Sequence, residues 1–238
     1  MTDDQLIADD IAIYRAIKDY RLMNLGVNAL QNILNRFDLG SHLTYFLDNN
    51  RSTASYHNNY HSICVALNCF EGARYEKLDY DYIKHLVLAG LFHDFNHSGG
   101  EYIDDAQNIN RAINGISKAA WDLNLPKKDL CAIIPILEVT KYPYDRTPVT
   151  IGEMIIRDAD LMQPYEQDSI VLKKQYLGLK TEIEKMRNTS YSDLEYANGQ
   201  LAWINENVKW NTAWAIEKSK VLGWESVKQN LFNTISGA

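Results

Sequence analysis

Apolar residues along this chain recur at the spacing of helix faces rather than of strands. Val27, Leu30 and Leu34 lie three and four positions apart, which are the intervals that place side chains on one face of a helix. Alternation of apolar and polar residues is not sustained over the length of a strand, and no proline precedes Pro126. We therefore predict an all-α protein.

Several helix ends are marked by capping and breaking residues. Asp79 is a typical N-cap residue, and Ile83, Leu86 and Gly90 fall on the inner face of the helix that would follow it. The Ser-Gly-Gly run at 98–100 should stop that helix. Further helices are predicted at 104–123, from Pro126 onward, at 151–161, at 166–187 and at 193–220, with a short terminal helix that ends near Phe232.

Chain length and composition favour a single globular domain. The 238 residues contain no Ser/Gly-rich linker, no repeat and no low-complexity tract, so one domain over 1–238 is the simplest interpretation. Pro135 should kink or break the helix begun by Pro126, because proline removes a backbone hydrogen bond. The segment 141–148 has the composition of a loop.

Charge and cysteine content narrow the class of protein. The net charge of −7 argues against a partner such as duplex nucleic acid, whose binders usually carry a basic excess. The three cysteines form no Cys-x-x-Cys motif, which suits a reducing cytoplasm. No apolar stretch approaches the roughly 20 residues needed to span a bilayer, so we expect a cytoplasmic protein without a membrane partner.

The first of two histidine pairs is expected on a helix. His57 and His61 belong to the segment Tyr-His-Asn-Asn-Tyr-His at 56–61, and a spacing of four would direct both rings to one side. Ser52 or Thr53 is predicted to cap that helix.

The second pair and a later acidic segment complete a set of metal ligands. His93 and His97 are also four apart, Asp94 follows His93, and Asp158 and Asp160 flank Ala159. Imidazole and carboxylate donors that converge from several helices are what a divalent metal site requires. From residue type alone, either Asp158 or Asp160 can supply the last ligand.

These segments resemble three motifs of one enzyme family. His61, His93-Asp94 and Asp160 resemble the H…HD…D signature of the HD-domain metal-dependent phosphohydrolases. The match is closest to the class I 3′,5′-cyclic-nucleotide phosphodiesterases: residues 56–62 resemble YHNxxHA, residues 93–99 resemble HDxxHxG and residues 159–164 resemble ADLSNP. The motif-bearing core extends over about 43–164. The resemblance implies an HD-type helical bundle in which residues 165–238 form part of the substrate pocket.

The resemblance also implies a role for each matched residue. His61, His93, Asp94 and Asp160 would hold a first metal, zinc or else iron or manganese. Asp94 would bridge to a second metal, magnesium or manganese. A hydroxide shared by the two metals would attack the phosphorus of a small phosphorylated substrate, most simply a nucleotide. His57 would be the general acid that protonates the leaving oxygen, and His97 would act through a water on the second metal. Asp160 is preferred to Asp158, which would pair with Arg157 or solvent.

The chain departs from the family pattern near the general acid and near the base. Where the family has a glutamate after HDxxHxG, alignment gives Gln107, and Asp104 or Asp105 is an alternative partner for His57. Gln163 stands in place of the asparagine of ADLSNP. Gln107 and Gln163 are therefore the candidate substrate contacts.

Other notable residues have ordinary structural interpretations. Trp203, Trp210 and Trp214 would share a helix face and form core, with base stacking as the alternative. The cations Lys141, Arg146 and Arg157 would be solvated rather than bound to phosphate. His42 and His85 belong to no motif.

Three other functions compete with cyclic-nucleotide hydrolysis. A nucleotidase or dNTP phosphohydrolase would use the same centre on a linear substrate. A di-iron oxygenase on this scaffold would need further histidines, and none follows His97. A non-catalytic metal-binding regulator would not be expected to retain the whole ligand set.

Overall fold

A computed structural model describes residues 23–101, 104–162 and 169–221, together with residues 223, 225, 228, 229, 232 and 233. This part of the chain is helical with no strand, so the all-α prediction is confirmed. None of its helices is long and apolar enough to cross a membrane. The helices are α1 (Met23–Arg36), α2 (Gly40–Asn49), α3 (Asn59–Tyr75), α4 (Tyr80–Phe92), α5 (Ala106–Asp122), α6 (Lys127–Glu138), α7 (Ile151–Met162), α8 (Ser169–Arg187), α9 (Asp193–Asn207) and α10 (Ala213–Val221).

Helices α3 and α4 form the centre of the molecule. Most residues of α3 and nearly all of the last ten of α4 are buried, because both helices are covered by others. Their closest approach is at Gly90, where a Cβ atom would lie 2.8 Å from Ala66 Cα. A side chain at this position would push the helices apart, so glycine allows the two histidine-bearing segments to come together.

The helix ends follow local hydrogen bonding. The Asp79 side chain accepts a hydrogen bond from Tyr82 N at the start of α4, which confirms the predicted cap. The Asn58 side chain accepts from Tyr60 N and His61 N and so begins α3. The prediction of a cap at Ser52 or Thr53 was therefore wrong, and His57 lies before the helix that carries His61.

Two other predicted helix boundaries are corrected. Pro135 does not end α6, which continues from Lys127 to Glu138. The helix predicted at 193–220 is two helices, because the chain is extended at Val208 after α9 and begins α10 only at Ala213. Trp203 and Trp214 therefore belong to different helices, and Trp210 lies between them.

The buried apolar residues form two clusters. The main cluster contains residues from every helix between α1 and α7, and also Trp214 of α10. The smaller cluster is made by α8 and α9, with Tyr176, Tyr196, Ala197 and Ile204 at its centre. We call the pair α8 and α9 the C-terminal hairpin. The single-domain interpretation remains a prediction.

Candidate metal centre and acid dyad

Four side chains converge where α3, α4 and α7 meet. His61 Nε2 lies 3.1 Å from both Asp94 Oδ2 and Asp160 Oδ1. His93 Nε2 lies 3.1 Å from His61 Nε2, 2.9 Å from Asp94 Oδ2 and 3.7 Å from Asp160 Oδ1. Donors about 2.1 Å from one metal are about 3.0–3.4 Å apart at octahedral or tetrahedral angles. Ligand atoms of His61, His93 and Asp160 all lie within 4.8 Å of one another, so these three side chains can hold one ion, and Asp94 Oδ2 lies against both imidazoles.

A hydrogen bond from the Nδ1 side of His93 fixes which of its ring atoms faces the other three side chains. His93 Nδ1 lies 2.8 Å from Gly90 O, so it donates its proton to that carbonyl. In the neutral ring, Nε2 then presents a lone pair to two carboxylates. Asp94 Oδ2 is buried here without a hydrogen-bond donor among the described residues. Such a set of electron pairs needs a cation or added protons at its centre, which is the chemistry of a metal site.

Without a metal, the two histidines and the two carboxylates of this centre shift one another's pKa values. Burial alone would lower the pKa values of His61 and His93, but the carboxylates of Asp94 and Asp160 raise both. Burial opposes ionisation of Asp94 and Asp160 as well, yet the two histidines lower the pKa of each carboxyl. In the metal-free protein, protons on the histidines would balance the carboxylate charge that a divalent cation would otherwise balance.

His57 lies beside this centre and is paired with Glu182 of α8. His57 Nδ1 lies 2.5 Å from Glu182 Oε2, and the rings of His57 and His61 are 5.6 Å apart. Burial alone lowers the pKa of His57, but the charges of Asp94, Glu182 and Asp160 raise it to about 9. The pairing with Glu182 through Nδ1 therefore favours the charged ring, whose second proton is on Nε2. We call His57 and Glu182 the acid dyad.

His97 lies against His57, with the two ring planes inclined by 30°. The centroids of the two rings are 3.9 Å apart. Gly99 N donates to His97 Nδ1 over 3.1 Å, so the proton of the neutral ring is on Nε2, which lies 3.7 Å from Asp105 Oδ1. Burial and the neighbouring charge of His57 lower the pKa of His97. Donor atoms of His57, His97 and Glu182 also lie within 4.8 Å of one another, so this second group can hold a metal ion as well.

The acid partner of His57 was not the residue expected from sequence. The Gln107 side chain is exposed on α5, and Asp105 contacts His97 rather than His57. Glu182 fills the position instead, and its side chain is only 5% exposed. No motif marks Glu182, because its closeness to His57 arises from the docking of α8. Gln163 lies outside the described residues.

Asp158 is a structural residue. It is fully buried and accepts hydrogen bonds from Asn211 N and Nδ2 and from Thr212 N and Oγ1. The expected pairing with Arg157 or solvent was wrong. Asp158 instead holds the turn that begins α10, and burial raises its pKa. Asp160, two positions later, is the residue of this segment that faces His61.

The three cations near the site contact groups of the protein itself. Lys141 Nζ lies 2.8 Å from Asp145 Oδ2. Arg146 binds Glu153, and Arg157 Nη2 donates to Val139 O and to Arg146 O. Their role here is to fix the loop between α6 and α7.

No protein-family model matches this chain, and no curated protein is significantly similar to it. The likeness to HD-domain phosphohydrolases therefore stays a resemblance of motifs.

Proposed function

We propose that this protein is a metal-dependent phosphohydrolase that opens the phosphodiester of a cyclic nucleotide. The observation that carries the proposal is the pair His57–Glu182, with Nδ1 and Oε2 2.5 Å apart, beside four side chains suited to a metal. Hydrolysis of a phosphate ester is promoted by two elements in one place: cationic charge at the phosphoryl group and an acid for the leaving oxygen.

The donor set supports a first metal held by His61, His93, Asp94 and Asp160. Two imidazoles and two carboxylates suit zinc, and iron or manganese as alternatives. Asp94 has a second oxygen for magnesium or manganese, which retain several waters when bound. When bound, such ions supply Lewis acidity and lower the pKa of water, so that a nucleophile forms at neutral pH.

The chain's own residues would handle the proton. His57 would give its Nε2 proton to the departing ribose oxygen, since an alkoxide is a poor leaving group without an acid. Glu182 would hold the ring in place and keep it charged. A bound metal would partly neutralise Asp94 and so bring the pKa of His57 down towards neutral pH, where an acid works best.

The substrate would be a small phosphorylated molecule and not a nucleic acid duplex. A nucleotidase acting on linear mono- or triphosphates is the second candidate, because the same donor set serves either substrate. We also propose a cytoplasmic location, for which an odd number of cysteines is the support.

The test is hydrolysis of 3′,5′-cyclic AMP and cyclic GMP by full-length protein loaded with zinc and magnesium. We expect turnover that Asp94→Ala abolishes. Asp81→Ala is the matched control, because it removes an exposed carboxylate from α4. Turnover only of linear nucleotides would select the second candidate, and no turnover of either class would refute the proposal.

A further inference from the structure

Three aromatic side chains form a cluster beside the candidate metal centre. The ring centroid of Tyr142 lies 5.4 Å from that of Tyr144 and 5.9 Å from that of Trp203, with the planes steeply inclined in both pairs. Trp203 Nε1 donates to Tyr142 Oη over 2.8 Å. We call Tyr142, Tyr144 and Trp203 the aromatic rim. It joins the loop after α6 to helix α9 of the C-terminal hairpin.

The aromatic rim contacts the site through Tyr142. Tyr142 N donates to Asp105 Oδ2 over 3.0 Å, and the other oxygen of Asp105 faces His97. The rim therefore lies on the His97 side of the site, and Tyr144 continues it to Arg157 of α7.

Arg157 fixes the aromatic rim to the helix that carries Asp160. Its guanidinium lies 4.0 Å from the centroid of the Tyr144 ring. Its Nη2 atom donates to Val139 O at the start of the loop and to Arg146 O within it. Because Arg157 and Asp160 are both on α7, the loop and the donor cluster are held together. A surface that is ordered before binding loses less entropy when a ligand arrives.

Tyr142 offers a ring rather than a polar group. The residue is 45% exposed, and its hydroxyl oxygen is held in place by the N–H of Trp203. An exposed aromatic ring next to a charged centre suits a planar aromatic group that is attached to an anion. Stacking of this kind is tolerant of base identity, because every base has a π face.

We propose that the aromatic rim binds the base of a nucleotide by stacking on Tyr142, so that the protein prefers nucleotides to sugar phosphates without distinguishing strongly among bases. The inference deepens the proposed function, on which it rests for the phosphate position. It assigns to Tyr142 a part in substrate selection that no sequence motif indicates.

Binding to the full-length protein loaded with zinc and magnesium tests this directly. Isothermal titration would compare 5′-AMP, 5′-CMP and ribose 5-phosphate, which share a phosphate and a ribose but differ in the base. We expect both nucleotides to bind about 10-fold more tightly than ribose 5-phosphate. Tyr142→Ala and the bulkier Tyr142→Leu should remove that difference, whereas Tyr142→Phe should keep it.

Tyr75→Ala is the matched control. Tyr75 is 49% exposed and lies at the opposite end of α3 from His61, so the preference should survive its loss. Equal binding of AMP and ribose 5-phosphate, no binding of any of the three, or a preference that persists in Tyr142→Leu would overturn the inference.

The binding assay separates this inference from the proposed function. Protein that binds AMP through Tyr142 but hydrolyses no phosphate ester would refute the function and leave the aromatic rim in place. Hydrolysis without any dependence on Tyr142 would support the function and refute the role of the aromatic rim.

Discussion

Glu182 Oε2 lies 2.5 Å from His57 Nδ1, although the two residues are 125 positions apart in sequence. The other oxygen of Glu182 accepts from Tyr56 N over 2.5 Å and from His57 N over 3.2 Å. One buried carboxylate thus holds both the ring and the backbone of His57. This arrangement leaves His57 Nε2 as the ring atom that can give a proton to a substrate.

Replacing Glu182 with glutamine should shift the pH range of activity. Burial lowers the pKa of His57, whereas Asp94 and Glu182 are the largest causes that raise it. A general acid works only while protonated, so a lower pKa brings the loss of activity to a lower pH. We expect the alkaline limb of the kcat/KM profile of Glu182→Gln to move towards neutral pH.

Glu184→Gln is the control for this experiment. Glu184 is on the same helix but its side chain accepts from Tyr191 N, away from His57. Its profile should match that of the unmodified protein. An alkaline limb that is the same in Glu182→Gln would show that the dyad does not tune the acid.

Removing the His57 ring should separate catalysis from metal binding. General acids contribute roughly 10²–10⁴-fold to rate, and His57 is outside the four-donor cluster. We expect His57→Ala to lose turnover by about this factor while its zinc content, measured by mass spectrometry, is unchanged. Loss of the metal would place His57 among the ligands, and unchanged turnover would exclude it as the acid.

Alanine at position 158 should lower stability, whereas alanine at position 160 should lower metal affinity. Asp158→Ala leaves the buried donors of Asn211 and Thr212 unsatisfied, which should cost about 3 kcal/mol of unfolding free energy. Asp160→Ala should lose metal affinity, while its metal-free form should lose less stability than Asp158→Ala does. Denaturant unfolding of chelated protein, together with zinc titration, distinguishes the two. The opposite pattern would make Asp158 the ligand.

Removal of the metal should lower thermal stability more at high pH than at low pH. In the metal-free protein, the raised pKa values of His61 and His93 give a stabilisation that is complete below the unfolded value of about 6.5. It is lost as the pH rises through the folded values. Metal replaces these protons, so the fall in Tm on adding chelator should be larger at about pH 9 than at about pH 6. An equal fall at both values would contradict the proton–metal exchange.

Local sequence signals predicted the helices and the donor cluster well. Asp79 caps α4 as expected, because a cap depends only on the following turn. His61, His93, Asp94 and Asp160 stand in three short motifs, and the structure brings all four together. The position of His57 was less well predicted, because Asn58 captures the first amides of α3 and leaves His57 outside the helix.

Features that depend on distant parts of the chain could not be predicted. Glu182 looks like any acidic residue on a lysine-rich helix, and only the docking of α8 brings it to His57. Asp158 seemed a rival ligand because its partners, Asn211 and Thr212, are more than fifty positions away. Likewise, the tryptophans at 203, 210 and 214 have helical spacing, but the extended segment at Val208 separates them.

The two apolar clusters predict that one part of the site opens to solvent more often than the other. The donor cluster rests on α3, α4 and α7 within the large core, whereas Glu182 belongs to a hairpin with a small core of its own. Segments with less buried surface open with a lower free energy. The amides of the C-terminal hairpin should therefore exchange with solvent sooner than those of α3 and α4. During such openings the protein would retain its metal and yet have lost the charge that holds its acid.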